Sequence, residues 1–449
     1  MRGDSVTGRR PARGEGSGGL ARGIDVDAVA LYLSRPSLAL GVYPASPWAD
    51  GTAAGPPGGF GADTPRDPGV ADPRDLGERL QDAVGRAIGA HRTVAVLHDG
   101  SVGASALLAA ATAAGRALGA EVTVVAADHP GPTGASVAVA TQQVIAALGE
   151  RHRFLLAETT RLPGGAGGAW NPVAPDLAGT PLVRAAEARA ARLGATLLLT
   201  AEGCDEVLQA GPLPAPSRLR GPRSAGRQLA DRWRTEGAAA VLADATSVLG
   251  RGARARRLRA GMQVALAPFA AALGDTPRVL PPQRLAHVES WTADWIRRLV
   301  ECLAGYRDPV RAYVLARTAR FAGPLPAAVA AAAAVPRRSP FLDPAFTAWA
   351  LRLPAGSRYD PRLPAPHLRR SGLLVALVPH AARHALPTTS IPTASPTAAA
   401  VADHPLCRAL GVLDGAPGPV EAVVAARLAV LEEWLAGAGE VSRPARTAG

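Results

Sequence analysis

Two patterns of hydrophobic residues alternate along the first half of the chain, one typical of buried strands and one typical of helices. Short apolar runs with few polar interruptions predict strands buried on both faces, and longer stretches with apolar residues three or four positions apart predict helices. The predicted strands are 93–98, 121–127 and 195–200, with a weaker segment at 152–157. The predicted helices are 75–89, 103–117, 135–149 and 182–193. This alternation predicts an α/β fold, in which a parallel sheet carries helices on both faces.

From about residue 217 onward the helical period dominates. The predicted helices there are 226–242, 280–303, 307–320, 325–334, 369–377 and 419–436. The segment 337–354 predicts a turn containing Pro340, followed by a helix that starts at Pro344 with Asp343 as its N-cap. The sheet is therefore expected to precede a mainly helical C-terminal part.

Composition divides the chain into four segments. Residues 1–23 are rich in Gly, Arg and Ser, which predicts a disordered N-terminus. Residues 24–75 predict a short helix and strand followed by a Gly/Pro/Asp-rich linker. Residues 76–437 form the predicted globular domain, and 438–449 a disordered tail.

The charge of the chain is strongly positive, at +12, and all 49 basic residues are Arg. A GC-rich coding sequence explains this bias better than selection for a polyanionic partner. The arginines between 251 and 259 have no interleaved aromatics and no known reader motif, so they predict a solvated helix face and no nucleic-acid partner. The absence of Lys also leaves no ε-ammonium for proton transfer, a step that Arg cannot replace.

Cysteine content and hydropathy bear on location. The three cysteines, Cys204, Cys302 and Cys407, are scattered and do not form a metal-binding pattern, which favours a reducing cytoplasm. No apolar run reaches the roughly 18 residues that a transmembrane helix requires. We therefore expect no membrane association.

Two turns carry the candidate chemistry. One follows the strand that ends near Leu97, and the other follows the strand that ends at Thr200. Ligands of parallel α/β sheets bind beyond the carboxyl ends of the strands, where small-residue turns and helix N-termini present N–H groups to anions. The second turn adds the adjacent carboxylates of Asp205 and Glu206, which could hold Mg²⁺. Together the turns predict a pyrophosphate-handling site.

The order of the motifs resembles the synthetase domain of asparagine synthetases and of the related β-lactam synthetases and lasso-peptide macrolactam cyclases. The segment Thr200–Glu206, read TAEGCDE, is similar to the family's Thr-Gly-Glu-Gly-Gly-Asp-Glu. The segment Arg338–Asp343, read RSPFLD, is similar to Arg-x-Pro-Phe-Leu-Asp, and LAVLEEWL at 428–435 is similar to the last cyclase helix. The resemblance implies an adenine nucleotide α-hydrolase-like fold of the PP-loop ATP pyrophosphatase type.

The resemblance also implies an activity, cofactors and partners. In this family a substrate carboxylate attacks the α-phosphate of ATP, with Mg²⁺, and an amine then displaces AMP to form an amide. The expected substrate is a small-molecule or peptide carboxylate, with a pathway protein as a further partner. The residues implied for catalysis are Asp205, which is also the metal ligand, Glu206 and Glu202. The residues implied for nucleotide binding are Leu97, His98, Gly100, Ser101, Gly103, Gly203 and Arg338.

The chain also departs from the family's pattern. Val102 stands where the family has a Mg²⁺-binding Asp, and Gly103 and Ala104 stand where it has two pyrophosphate-binding serines. The family's Lys before Leu368 and Arg369 is Ala365. These losses favour a second hypothesis, in which the protein is a catalytically inactive relative that serves as a binding or assembly partner.

Several of these residues also have structural interpretations. Asp205 could be the N-cap of the next helix, and Glu206 and Glu202 could be first-turn carboxylates stabilised by the helix dipole. His98 could be an ordinary loop residue. Arg338 could hold a loop carboxylate or carbonyl, and Cys204 could be a small buried residue.

Overall fold

A computed structural model gives the arrangement of these elements. The described residues are 24–34, 71–128, 136–149, 153–158, 181–210, 222–245, 252–265, 280–304, 335–386, 398–399, 404–413, 420–421, 428–429 and 431–436. The predicted disordered ends, the linker up to residue 70, the strand expected after residue 34 and the helices expected at 307–320 and 325–334 lie outside them. The last residues of the predicted linker form a 3-10 turn at Pro73–Asp75. Among the described residues, no helix combines the length and the apolar character needed to cross a membrane.

The elements follow the alternation that the sequence predicts. The strands are β1 (Thr93–His98), β2 (Glu121–Asp128), β3 (Arg153–Glu158), β4 (Leu197–Leu199), β5 (Arg337–Arg338), β6 (Ala398–Ala399) and β7 (Val420–Glu421). The helices are α1 (Val26–Ser34), α2 (Leu76–Ile88), α3 (Val102–Leu118), α4 (Val137–Ala147), α5 (Pro181–Arg192), α6 (Cys204–Leu208), α7 (Pro222–Ala245), α8 (Ala253–Ala265), α9 (Pro282–Leu303), α10 (Pro344–Ala350), α11 (Pro366–Arg370), α12 (Gly372–Leu377) and α13 (Pro405–Ala409).

The first five strands form one parallel sheet in the order β3-β2-β1-β4-β5. The chain moves outward from β1 to β3 and then returns to β4 on the other side of β1. The connections that follow β1 and β4 therefore lead to opposite sides of the sheet, toward β2 and toward β5. Such a switch point is where ligands bind in open α/β sheets.

Helices cover both faces of this sheet, as predicted. Alternate residues of β1 point to opposite faces. Val94 and Val96 pack in a core with α2 and α3, whereas Ala95 and Leu97 pack in a second core with α5. The sheet is thus buried on both sides, which explains why its strands contain so few polar residues.

A third core lies outside the sheet and joins the two ends of the described chain. It contains α1, part of α9 and residues from 406 to 435, among them Leu31, Val288 and Trp434. Arg284 also pairs with Asp27. The N-terminal helix is therefore packed against the C-terminal helical part.

Three elements differ from the prediction. The predicted turn is present at Pro340–Leu342, but Arg337–Arg338 before it forms strand β5 beside β4, because Leu198 and Thr200 donate their N–H groups to carbonyls of the 336–338 segment. The predicted helix 369–377 is two helices that meet at Ser371. The predicted helix 419–436 begins instead as β7, which pairs with β6, and helical residues are described only from 428.

Candidate functional site

The two predicted loops meet at the switch point. A Cβ atom added to Gly103, in the first turn of α3, would overlap with Sγ of Cys204 and lie 3.1 Å from its Cβ. It would also lie 3.6 Å from Cβ of Ala201. The loop after β1 and the loop after β4 are therefore in direct contact at the carboxyl edge of the sheet.

Two glycines give these loops their shape. Gly100 has φ +83° and Gly203 has φ +80°, a region in which residues with a Cβ are strained. A side chain on Gly203 would also overlap with Leu342, in the turn Pro340–Leu342. The glycines are thus explained by backbone conformation and close packing, whether or not a ligand binds.

The first loop already satisfies several of its own N–H groups. Gly100 N–H donates to Nδ1 of His98 at 3.2 Å, and Ser101 N–H donates to Oδ1 of Asp99 at 3.0 Å. The hydroxyl of Ser101 caps α3 by accepting the N–H of Ala104 at 3.0 Å. These three amides belong to the loop expected to contact phosphate.

His98 is the last residue of β1 and is 1% exposed, so the interpretation as an ordinary loop residue is wrong. Its Nδ1 lies 3.2 Å from the backbone nitrogen of Gly100 and 2.9 Å from Oγ1 of Thr141, and its Nε2 lies 3.2 Å from Oγ of Ser105. The Ser105 hydroxyl donates to the carbonyl of Ser101. Burial lowers the pKa of His98 to about 4, with Asp99 opposing the shift. The imidazole is therefore neutral at physiological pH and anchors the loop.

The second loop leads into the five-residue helix α6. Gly203 occupies the N-cap position, so the interpretation of Asp205 as the N-cap is wrong. Cys204 is buried, as expected for a small packed residue. Its burial and the charges of nearby carboxylates raise the pKa of the thiol well above its usual value.

Asp205 carries the most perturbed carboxylate of the site. The residue is exposed at the protein surface, although protein atoms near its carboxylate reduce the hydration of that group. This desolvation, with the negative charges of Glu206 and Asp99, raises the pKa of Asp205 to about 6, and Arg370 opposes the shift. The three carboxylates therefore lie close enough to interact, and Asp205 is partly protonated near neutral pH.

The side chains of Glu202 and Arg338, both predicted as site residues, contact other parts of the protein. The Glu202 carboxylate lies 3.6 Å from Arg337, and its carbonyl accepts the hydroxyl of Ser339 at 2.6 Å. The Arg338 guanidinium donates to the carbonyl of Ala87, at the end of α2, at 3.2 Å. The interpretation of Arg338 as a residue that holds a carbonyl is confirmed, while contact with phosphate stays a prediction.

The segment Arg338–Asp343 packs against the loop that follows β4. Asp343 caps α10 by accepting the N–H of Phe346 at 2.9 Å, as predicted, and pairs with Arg86 of α2 at 2.7 Å. Leu342 packs against Gly203. The motif 338–343 thus connects β5, α6 and α2 beside the site.

The sequence interpretation missed Arg370, whose positive charge acts on Asp205. Arg370 ends α11, more than 160 residues after Asp205. The Arg369–Arg370 pair was visible in the sequence, but no local pattern indicates which of the two faces the site.

The side chains of the site determine whether it could bind Mg²⁺. Nucleotide sites hold Mg²⁺ through one or two carboxylates together with phosphate oxygens. Asp205, with Glu206 or Asp99, offers ligands of this kind. Within the described ranges, no group of three or more His, Cys, Asp or Glu side chains is arranged to hold a metal by itself. These carboxylates are therefore donors of the kind that Mg²⁺ uses when it binds together with phosphate oxygens.

Comparison of the chain with protein-family models and with curated proteins gave no match. The function is therefore argued from the site.

Proposed function

We propose that this protein is an ATP-dependent amide ligase of the asparagine synthetase type, acting on a small-molecule or peptide carboxylate. The observation that carries the proposal is the contact between the loops after β1 and β4 at the switch point, with Asp205 in the second loop. Motif resemblance supplies the reaction class, and the sheet order supplies a crevice of the kind that binds nucleotides.

In this reaction an oxygen of the substrate carboxylate attacks the α-phosphorus of ATP, and pyrophosphate leaves. The nitrogen of an amine then attacks the activated carbonyl, AMP leaves and the amine loses a proton. The chain would contribute mainly position and charge. Asp205 would hold Mg²⁺ when it is bound, and that ion would neutralise the phosphate oxygens. The N-terminus of α3 would face the same anion.

A second candidate function is favoured by one specific observation. The amides of Gly100, Ser101 and Ala104 already donate to side chains of their own loop. Val102, Gly103 and Ala104 also offer no carboxylate or hydroxyl. A loop in this state fits a catalytically inactive relative that retains the fold and acts as a binding or assembly partner.

Pyrophosphate release distinguishes the two functions. The purified protein would be incubated with ATP, Mg²⁺ and a panel of carboxylic acids and amines, and nucleotide binding would be measured in parallel by isothermal titration calorimetry. The ligase proposal expects release that depends on an acid and is lost in Asp205→Asn. The ionised carboxylate is disfavoured by its surroundings, so this substitution should leave the protein folded.

Asp294→Asn is the matched control, because Asp294 is an exposed carboxylate on α9 that pairs with Arg297 at 2.8 Å. It should leave release unchanged. Binding of Mg-ATP without release from any acid would support the inactive relative. If the protein neither binds Mg-ATP nor releases pyrophosphate, that result would contradict the proposal of a nucleotide site.

A further inference from the structure

A cavity of about 380 Å³ lies between α2 and α10, and we call it the α2–α10 cavity. Arg79, Asp82 and Arg86 line it from α2, where spacings of three and four residues place them on one face of the helix. The opposite face of α2, with Leu80 and Val84, is buried in the core. None of the described residues that line the cavity belongs to the loops after β1 and β4, so it is separate from the candidate site.

The floor of the α2–α10 cavity is apolar and well packed. Phe346 and Trp349 of α10 line it, are only 1% and 6% exposed, and have ring centroids 6.0 Å apart. Ala345 and Ala348, which are exposed on the same helix, leave the space above these rings open because their side chains are short. The floor therefore suits the apolar body of a ligand.

The walls of the cavity carry charge. Arg86 is already paired, since it donates two N–H groups to the carboxylate of Asp343 at 3.1 and 2.7 Å. Arg79 of α2 and Arg352, which follows α10, are exposed on the two sides of the cavity. Within the part of the chain that the structure describes, the guanidinium groups of these two arginines form no hydrogen bond or ion pair. Even with Asp82 and Asp343 both counted, three arginines face two carboxylates, so the cavity has an excess of positive charge.

We propose that the α2–α10 cavity binds a small organic anion, with its carboxylate or phosphate group held by Arg79 and Arg352 and its apolar body on the floor. A guanidinium can donate two parallel N–H groups to either kind of oxyanion, and it stays charged at every physiological pH. The volume lies within the range of small-molecule sites. Asp82 would accept a hydrogen bond from a hydroxyl or amine of the ligand and would repel a second negative group beside it. The inference does not depend on the proposed ligase function.

Saturation-transfer NMR at fixed ionic strength and neutral pH tests the proposal with a matched set of probes. The probes 2-naphthoate and 2-naphthyl phosphate carry the two oxyanions on one aromatic body, 2-naphthol carries the same body without the charge, and inorganic phosphate is the anion alone. Each naphthyl anion, or the one whose oxyanion the site prefers, should bind at least about fivefold more tightly than 2-naphthol and inorganic phosphate. Equal affinity for 2-naphthol and both naphthyl anions would contradict recognition of the charge.

Substitutions at the walls locate the bound anion. Arg79→Gln and Arg352→Gln should each weaken binding of the preferred naphthyl anion about threefold and leave 2-naphthol unaffected, because each removes one exposed charge. Arg74→Gln is the matched control, since Arg74 is exposed in the turn before α2 and does not line the cavity. It should change the affinity by less than about 1.5-fold. Equal losses in all three variants would show an effect of net charge alone and would overturn the inference.

A substitution at the floor tests the place of the apolar body. Ala348→Trp puts a large side chain at an exposed position that lines the cavity, so it should abolish binding of the naphthyl anions and leave the Tm nearly unchanged. Unaltered binding in this variant would show that the probes bind elsewhere.

Asp205→Asn separates this inference from the proposed function. The variant should bind the naphthyl anions as the wild type does, because Asp205 does not line the α2–α10 cavity. Loss of their binding would place the probes at the carboxyl edge of the sheet and would overturn the inference, as would wild-type protein that binds none of the probes. Neither result bears on the release of pyrophosphate.

Discussion

At the scale of single residues, Gly103 and Cys204 share one space. The thiol of Cys204 fills the volume that a side chain at position 103 would need. Protein interiors are packed too densely for both positions to carry side chains without a shift of the backbone. The size of residue 103 therefore depends on the residue at 204, although the two are about one hundred positions apart.

Gly103→Ala should destabilise the protein by about 1–3 kcal/mol, the usual cost of overpacking. Adding Cys204→Ala should recover part of that loss, because it removes the atom with which the new Cβ overlaps. Chemical denaturation of both single variants and the double variant measures the coupling.

Gly85→Ala is the matched control for this cycle. Gly85 lies inside α2, and a Cβ added there would have no neighbouring atom within 4 Å outside its own helix backbone. Alanine has the better helix propensity, so this variant should be neutral or slightly stabilising. Additive effects of Gly103→Ala and Cys204→Ala would show that the two side chains do not compete.

The buried His98 predicts a specific pH dependence. Its folded-state pKa is about 4, below the ordinary value of 6.5, so the unfolded chain takes up the proton first. The stabilising contribution is complete above pH 6.5 and is lost as the pH falls toward 4. The loss amounts to about 3 kcal/mol.

Thermal unfolding between pH 4 and 8 measures this effect. His98→Asn keeps an acceptor near the N–H of Gly100 but does not titrate, so its Tm should depend less steeply on pH than that of the wild type. His91→Asn, at a partly exposed histidine before β1, should retain the wild-type slope. If Tm depends on pH equally steeply in the wild type and in His98→Asn, His98 is not the source of the pH dependence.

At the scale of elements, α6 is too short to be stable by itself. It is held from outside: its Val207 carbonyl accepts an N–H of the buried Arg358, and Ala210 donates to the carbonyl of Arg370. The orientation of the site carboxylates therefore depends on α11 and also on α7, because Arg369 of α11 forms a buried ion pair with Asp231 of α7 at 2.6 Å.

Asp231→Asn should destabilise the protein by about 3–5 kcal/mol, since it leaves the buried Arg369 without its counter-ion. Tyr359→Phe removes the hydrogen bond that the Tyr359 hydroxyl donates to the Asp231 carboxylate, and it should cost only about 1 kcal/mol. Urea denaturation at neutral pH compares the two. Equal costs would show that the ion pair does not carry the stability of this network.

The sequence predicted those elements whose stability comes from their own hydrophobic pattern. β1 was predicted with its observed limits, and α2 and α3 to within about two residues, because their apolar positions match one period. β5 was missed, since two arginines form a strand only because β4 offers a free edge. The break at Ser371 was missed because apolar residues continue on both sides of it.

At the scale of the whole molecule, the sheet order explains why the site could be located but not completed from the sequence. Parallel strands place their carboxyl ends at one edge, so the two loops could be expected to meet. The hydrogen bonds within the first loop and the approach of Arg370 depend on contacts between distant segments. No local pattern encodes them.

Hydrogen exchange should reflect this architecture. β1 is the central strand, and five of its six residues are buried, so its amides should exchange most slowly. Amides of β3 and β5, which lie at the two edges of the sheet that the described strands form, should exchange faster. Mass spectrometry of peptides covering 93–98, 153–158 and 337–338 provides the comparison, and faster exchange in β1 than at either edge would contradict the strand order.

The strand order also sets a sequence of events during synthesis. One side of β1 finds its neighbour in β2 soon after both leave the ribosome, but the other side waits for β4, about one hundred residues later. At common translation rates of about 5–20 residues per second, that wait lasts about 5–20 s. Throughout this time the nascent chain displays an apolar strand with unpaired backbone groups, which makes it a natural client for chaperones.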